Sequence, residues 1–279
     1  MASRGNPGGL IAVITSAMYL ASGKHEIKIK IALDEDDFSY EECMSFICGF
    51  YPNVEFYKNR REPTLGAIIN GLAKDEIADV YLPLTDRMLI QTVDWDDIIA
   101  TASMHFYNAL LWWNMPQSCI MPILTKKWYE ASGQIFTEYF PFWFDDTWLA
   151  EINCFVHGNS GHAIPAALYR KPGGKTKRFH DIQFWMEFFI SQRANRKLHA
   201  EKIAEKLRIP PADTANAIVN MKTRDGWWAQ NWQIFEKEFG DPSPRSEDYC
   251  IAASAAALLL SGLKLSDELL HRISGGHGE

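Results

Sequence analysis

The chain has 279 residues, 47% of them hydrophobic, and a net charge of −7, a size that suits one core domain with an appendage rather than two independent domains. Its five cysteines, an odd number with no Cys-x-x-Cys, exclude a disulfide framework and a thiolate zinc site. No basic-then-apolar leader opens it, and the longest apolar stretch, Ile251 to Leu263, is shorter than the ~20 residues that span a bilayer, so we expect a cytoplasmic protein without a transmembrane segment.

In chain order, Met1 to Gly9 reads as a turn and Leu10 to about Ala21 as a helix. Such a turn normally follows a strand, so the first strand is a stub or lies upstream. Glu26 to Leu33 alternates strictly and predicts a strand, ended by Asp34-Glu35-Asp36-Asp37. Ser39 to Phe50 predicts a helix, with Ser39 as N-cap and Glu42 completing a capping box. A short strand follows at Val54 to Tyr57. A helix over Pro63 to Ala73 carries Leu65, Ile68, Ile69 and Leu72 on one face. Val80 to Leu84 reads as a buried strand, Val93 to Ala102 as a helix with an acidic first turn, and Cys119 to Leu124 as a strand. Asp145 or Asp146 caps a helix running through Ile152.

Strands and helices thus alternate to about residue 170, the signature of a layered α/β domain. Beyond Lys171-Pro172-Gly173-Gly174-Lys175 only helical spacing remains, in Phe184 to Leu207, Ala212 to Met221 and Ile251 to Leu263. We place the boundary near residue 178, giving a core domain over 1–178 and a helical region over 179–279. The chain holds ten Trp and sixteen Phe. Trp112-Trp113 and Trp227-Trp228 read as core first, and as a stacking surface for sugars or bases second.

Two acidic clusters follow apolar runs. Asp86 ends Ala78 to Thr85, and Asp145-Asp146 follow Phe142-Trp143-Phe144. In an open α/β sheet, ligands bind beyond the carboxyl ends of the strands. Carboxylates delivered there suit a metal or phosphate site beside a general base. Capping explains one Asp at position 145 or 146; it does not explain two against apolar surface, where like charges cost free energy. Charge is also uneven. Residues 170–208 hold eleven Lys/Arg against four Asp/Glu, a surplus of +7 that leaves −14 on the remainder. This points to a polyanionic partner, or to a solvated helix face with internal pairs.

The ordered set Ser3-Arg4-Gly5-Asn6-Pro7, Asp34-Glu35-Asp36-Asp37, Asn59-Arg60-Arg61 with Asn70, Leu84-Thr85-Asp86, Trp95-Asp96 and Phe144-Asp145-Asp146-Thr147-Trp148 resembles a glycosyltransferase of the GT-A fold. It is most similar to the small family-2-like enzymes of bacteria and phages, over residues 1 to about 178. The resemblance implies a Rossmann-like three-layer mixed sheet with a C-terminal helical appendage, and a hexosyltransferase-type reaction from a nucleotide sugar such as a UDP-sugar. It sets Ser3 and Arg4 against the nucleotide base and Asp34, with Asp36 adjacent, on base or ribose. Asn70 would face the nucleotide. Asp86 would hold a divalent metal (Mn²⁺ or Mg²⁺) at the position of an Asp-x-Asp motif. Asp146 would be the general base of an inverting transfer, oriented by Asp145.

The pattern is broken at Arg87, where a second Asp often stands, and at Tyr169-Arg170-Lys171, where a His often completes the metal site. Either a metal on Asp86 or Arg87 as a fixed cation then answers the charge on the leaving diphosphate. The acceptor implied is a glycan or lipid-linked sugar, or a hydroxymethylated pyrimidine of phage-type DNA met through 170–208. The competing readings are a sugar nucleotidyltransferase, which wants a better phosphate loop than residues 3–9, and a degenerate nucleotide-binding module.

Overall fold

A computed structural model describes residues 1–60, 64–115, 121–140, 144–171, 182–210 and 214–239. The expected helix at 251–263, the basic residues 175–178, Arg61, Cys119 and Phe142-Trp143 lie outside the described residues.

Three strands form a parallel sheet in the order β1 (Ala2–Ser3), β2 (Ile29–Asp34), β3 (Val54–Asn59). The first strand spans two residues here. Five more form a mixed sheet in the order β4 (Val80–Tyr81), β7 (Pro122–Thr125), β6 (Leu110–Asn114), β8 (His162–Arg170), β5 (Met88–Ile90). In it β6 runs parallel to β8, and the other pairs are antiparallel. A parallel bridge from Ala2 to Thr85 joins the two sheets.

Central β6 explains the layering. Leu110, Leu111, Trp112 and Trp113 are all buried. A strand's period of two sends Leu110 and Trp112 to one face and Leu111 and Trp113 to the other. Leu111 and Trp113 join a core with α1 (Pro7–Tyr19), α4 (Trp95–His105), β2 and β8. Leu110 and Trp112 join a second core with α3 (Leu65–Ala73), α5 (Lys126–Ser132) and α6 (Asp145–His157). That second core continues without a break into α7 (Ile182–Ser191), α8 (Arg193–Leu207) and α9 (Thr214–Phe239), through Phe188, Phe189, Ile203, Met221 and Trp228. The helical region and the sheet thus share one apolar interior, and Trp112-Trp113 are core.

Local departures from the expected elements have physical causes. The strand over 80–84 shortens to Val80–Tyr81, because Pro83 cannot donate to a ladder. Ser39 does not start α2 (Glu41–Phe50). Asp37 instead caps a single 3-10 turn, Phe38–Tyr40, accepting from Ser39 N at 3.0 Å and Ser39 Oγ at 2.6 Å. Nor do Asp145 and Asp146 cap α6: Phe144 holds that position with φ +73°, and the two acids occupy the first turn.

Candidate active site

The carboxyl ends of β1 and β2 meet the segment that carries Asp86. Ser3 Oγ donates to Asp86 Oδ2 at 2.7 Å and shares a 2.6 Å hydrogen bond with the hydroxyl of buried Tyr40. That hydroxyl also accepts from Asn6 N at 2.9 Å. Burial pushes the Tyr40 phenol up to about 12, against its bonds with Ser3 and Asn6, so it stays protonated at neutral pH. Arg4 pairs with Asp34 and reaches both oxygens of Asp36, at 2.9 and 3.1 Å. Gly5 N donates to Asp37 Oδ2 at 2.7 Å. Burial raises the Asp37 carboxyl, but the bonds from Ser39 and Gly5 outweigh it and leave the group below its ordinary range. The loop after β1 and the acidic loop after β2 are therefore laced together: Ser3 holds Asp86, and its neighbour Arg4 holds Asp34 and Asp36.

Two glycines permit the approach. Gly5 sits at φ +60°, a left-handed conformation that side chains other than glycine rarely adopt. Gly9, in the first turn of α1, presses on the Asp86 backbone: a Cβ there would lie 2.5 Å from Asp86 O and would strike the Asn6 side chain. Asn6 is the N-cap of α1, accepting from Gly9 N at 3.2 Å and donating to Asp86 O at 3.3 Å. We expect Gly9→Ala to cost about 1–3 kcal/mol, because neither a backbone carbonyl nor the cap can move freely. Urea denaturation of the variant against the wild type measures this.

Asn70 serves a different purpose from the one expected. Its amide donates to Phe136 O at 2.9 Å and Glu138 Oε1 at 3.1 Å, and accepts from Ile135 N at 2.9 Å and Phe136 N at 3.2 Å. All four hydrogen-bonding positions are thus committed to pinning residues 135–138. Arg87 is half-buried, and its backbone carbonyl accepts from Lys171 N at 2.9 Å.

Asp145 and Asp146 lie at the N-terminus of α6. Asp145 is buried, its Oδ1 has no hydrogen-bond partner, and burial followed by the Asp146 charge pushes its carboxyl well above the ordinary range. Asp146 is half-buried and accepts from Thr147 N at 2.7 Å. Burial raises it to about 6, opposed by Thr147 and by the Arg224 charge. Burial thus raises both adjacent acids, and the Asp146 charge raises Asp145 further. No hydrogen bond or ion pair joins Asp145 or Asp146 to Asp86.

A metal centre built by the protein does not fit these residues. Asp86 contributes one carboxylate, already accepting from Ser3, and among the described residues no three His, Cys, Asp or Glu converge. His157 is bonded to Asn108 O at 2.9 Å and His162 stacks on Phe106 at 4.1 Å.

Sequence reasoning missed a buried charge network behind α6. Arg196, fully buried, faces Glu151 at 2.6 Å and Asp225 at 2.9 Å, donates to Phe189 O, and lies 3.9 Å over the Phe189 ring. Arg193 also binds Asp225. Burial raises Glu151 to about 7, against the Arg196 and Arg224 charges. Of the eleven basic residues in 170–208, Arg196 is therefore internal and the half-exposed Arg193 is paired, so the exposed surplus is smaller than the sequence suggested. Lys202, Lys206 and Arg208 remain at the surface, lining with His199 and Glu205 a cleft of about 480 Å³ against the end of α5. No helix among the described residues is long and apolar enough to cross a membrane.

Solved structures share this architecture. S. aureus TarS residues 1–349 in complex with UDP superposes with a TM-score of 0.54 at 12% identity, covering 98% of this chain and 86% of that one. A longer S. aureus TarS structure gives 0.53 at 12% identity over 96% of this chain and 49% of its own length. TarS 1–349 without that description of a ligand gives 0.51 at 12% identity, over 94% and 81%. No family model and no curated protein sequence matches the chain. The mixed α/β architecture, with its parallel and mixed sheets and flanking helices, is that of a GT-A-like fold.

Proposed function

We propose that this chain is a glycosyltransferase that moves a sugar from a nucleotide-sugar donor, with UDP as the nucleotide, to an acceptor hydroxyl. The observation that carries the reading is the adjoining pairs Ser3–Asp86 and Arg4–Asp34 at the carboxyl ends of β1 and β2, in a fold shared with a UDP-bound protein. Open α/β sheets bind nucleotides at such a crevice. In this reading Ser3 and Arg4 lie along the nucleotide, with Arg4 held by Asp34 and Asp36, and Asp86 and Arg87 flank the diphosphate. Asp146 takes the proton of the attacking hydroxyl in an inverting displacement, a contribution of about 10²–10⁴-fold. Asp145 remains protonated beside it and offers a hydrogen bond to the acceptor. A divalent ion would find one protein carboxylate here, Asp86, and no step depends on it.

The acceptor we favour is polyanionic, a phosphorylated glycan or lipid or a DNA, met by the exposed cations among Arg170, Lys171, Lys202, Lys206 and Arg208. Incubation with UDP-sugars, with and without Mn²⁺, tests the donor half: slow release of UDP is expected. Asp86→Ala should lower it by at least about 10²-fold, the usual scale for losing an electrostatic contact to developing charge. Pyrophosphate exchange would identify a nucleotidyltransferase instead, and the absence of turnover with every donor would overturn catalysis. Steep salt dependence of acceptor binding supports the polyanion; salt-independent binding removes it.

A further inference from the structure

The loop after β1 is fastened to the segment after β2 at successive residues. Ser3 and Asn6 meet the Tyr40 hydroxyl, Arg4 meets Asp34 and Asp36, and Gly5 N meets Asp37. Tyr40 is the deepest of these partners. It is fully buried and ends the 3-10 turn that Asp37 caps. Its hydroxyl takes part in two bonds, and the proton count decides their direction. A phenol carries one proton, and so does a serine hydroxyl. Ser3 gives its proton to Asp86 Oδ2 at 2.7 Å. The 2.6 Å contact between Ser3 and Tyr40 therefore carries the Tyr40 proton, with Ser3 Oγ accepting. Asn6 N, which can only donate, meets the Tyr40 oxygen from its acceptor side at 2.9 Å and leaves the phenol proton to Ser3. The chain from Asn6 N through Tyr40 and Ser3 to Asp86 thus runs one way, each donor feeding the next.

We propose that Tyr40 is a positioning residue for Asp86: by donating to Ser3 it fixes the Ser3 proton on Asp86 Oδ2, and so sets which way that carboxyl group turns toward the diphosphate of the sugar nucleotide. The part in catalysis rests on the reading that places Asp86 beside the diphosphate; the order of the hydrogen bonds does not. Being fully buried, Tyr40 reaches no substrate and acts through Ser3. A hydroxyl that itself receives a hydrogen bond donates a stronger one, because bonds in a chain polarise one another. Without the Tyr40 hydroxyl, Ser3 is free to rotate and Asp86 loses its fixed orientation.

The order of the bonds is read without substrate, in the full chain. The Tyr40 hydroxyl proton, assigned by NMR in tyrosine-labelled protein, should exchange with water about tenfold faster in Ser3→Ala, the scale of one lost hydrogen bond. An unchanged rate overturns the proposal, and this measurement does not require Tyr40→Phe to fold. The part in catalysis is read from kcat for UDP release from UDP-sugars, in variants shown by urea denaturation to be folded. Tyr40→Phe and Ser3→Ala are each expected to lose about tenfold. The double variant should lose no more than Ser3→Ala alone, because residues that act as a unit are not additive. A Tyr40→Phe loss that persists in full in the Ser3→Ala background overturns the proposal, since it comes from the bond to Asn6 N and not from the relay. A loss in Ser3→Ala with none in Tyr40→Phe also overturns it. Faster proton exchange with turnover unchanged in both single variants keeps the order of the bonds and overturns the placing of Asp86 at the diphosphate.

Discussion

Asp146→Asn is expected to abolish sugar transfer while leaving the chain folded. The substitution preserves shape and the bond to Thr147 N but removes the only atom able to take a proton there. In the wild type, turnover should fall on acidification through about pH 6, where the burial-raised Asp146 carboxyl becomes protonated. Stability moves in the opposite direction. A carboxyl whose folded value lies above its unfolded one favours the folded state most at pH below the unfolded value, and this contribution is lost as pH rises through the folded value. Between about pH 4 and pH 7 the Asp146 contribution therefore declines by up to about 3 kcal/mol, two units at about 1.36 kcal/mol each. Asp146→Asn removes this dependence, so the variant should gain stability relative to the wild type as pH rises from 4 to 7. Wild-type turnover in the asparagine variant would refute the base, and a stability difference that stays flat with pH would refute its burial.

The second large effect concerns Arg196. Its replacement by Met leaves Glu151 buried with no facing cation on α8 and strips Asp225 of one of its two arginines. Breaking a buried pair by removing one partner typically costs about 3–5 kcal/mol, because the remaining charge is stranded away from water. We expect a loss of that size in guanidinium denaturation. Replacing Glu151 and Arg196 together by Met should recover most of it, since Arg193 still answers Asp225 and the apolar pair fills the space. A double variant as unstable as the single one would show that the site depends on Arg196 for packing over Phe189 rather than for charge.

The parts of the fold that were legible in the sequence are those governed by local pattern. The alternation of 26–33, of which 29–33 pairs in β2, the apolar face of α3 and the acidic first turn of α4 each encode their element directly. Strands β5 and β8 were not legible. The first has three residues, and the second contains Pro165 and an exposed Tyr169, so each depends on its pairing more than on its composition. The site divides the same way. Ser3, Arg4, Asp34 and Asp86 announce themselves as polar residues at the ends of apolar runs, and the structure bonds Ser3 to Asp86 and Arg4 to Asp34. Tyr40, Asn6 and Gly9 carry no such signal, because their roles arise from contacts 34 to 80 positions away. Asn70 looks in sequence like any binding amide, and only its four partners reveal that it fastens a loop. Arg193 and Arg196 read as surface charge because helical spacing alone does not say which side of α8 meets Glu151 and Asp225.

Phe144 holds a left-handed backbone, φ +73°, that a bulky side chain tolerates only when its surroundings impose it. Its ring is stacked on Phe189 at 4.9 Å and abutted by Trp228, residues of α7 and α9. The peptide that aims the acid couple is thus braced by segments translated after it. During synthesis on the ribosome, the α/β layers can assemble early, but this bend acquires its support only once the last of these helices emerges. The turn that precedes Asp145 and Asp146 would then settle late, after α9 has been made.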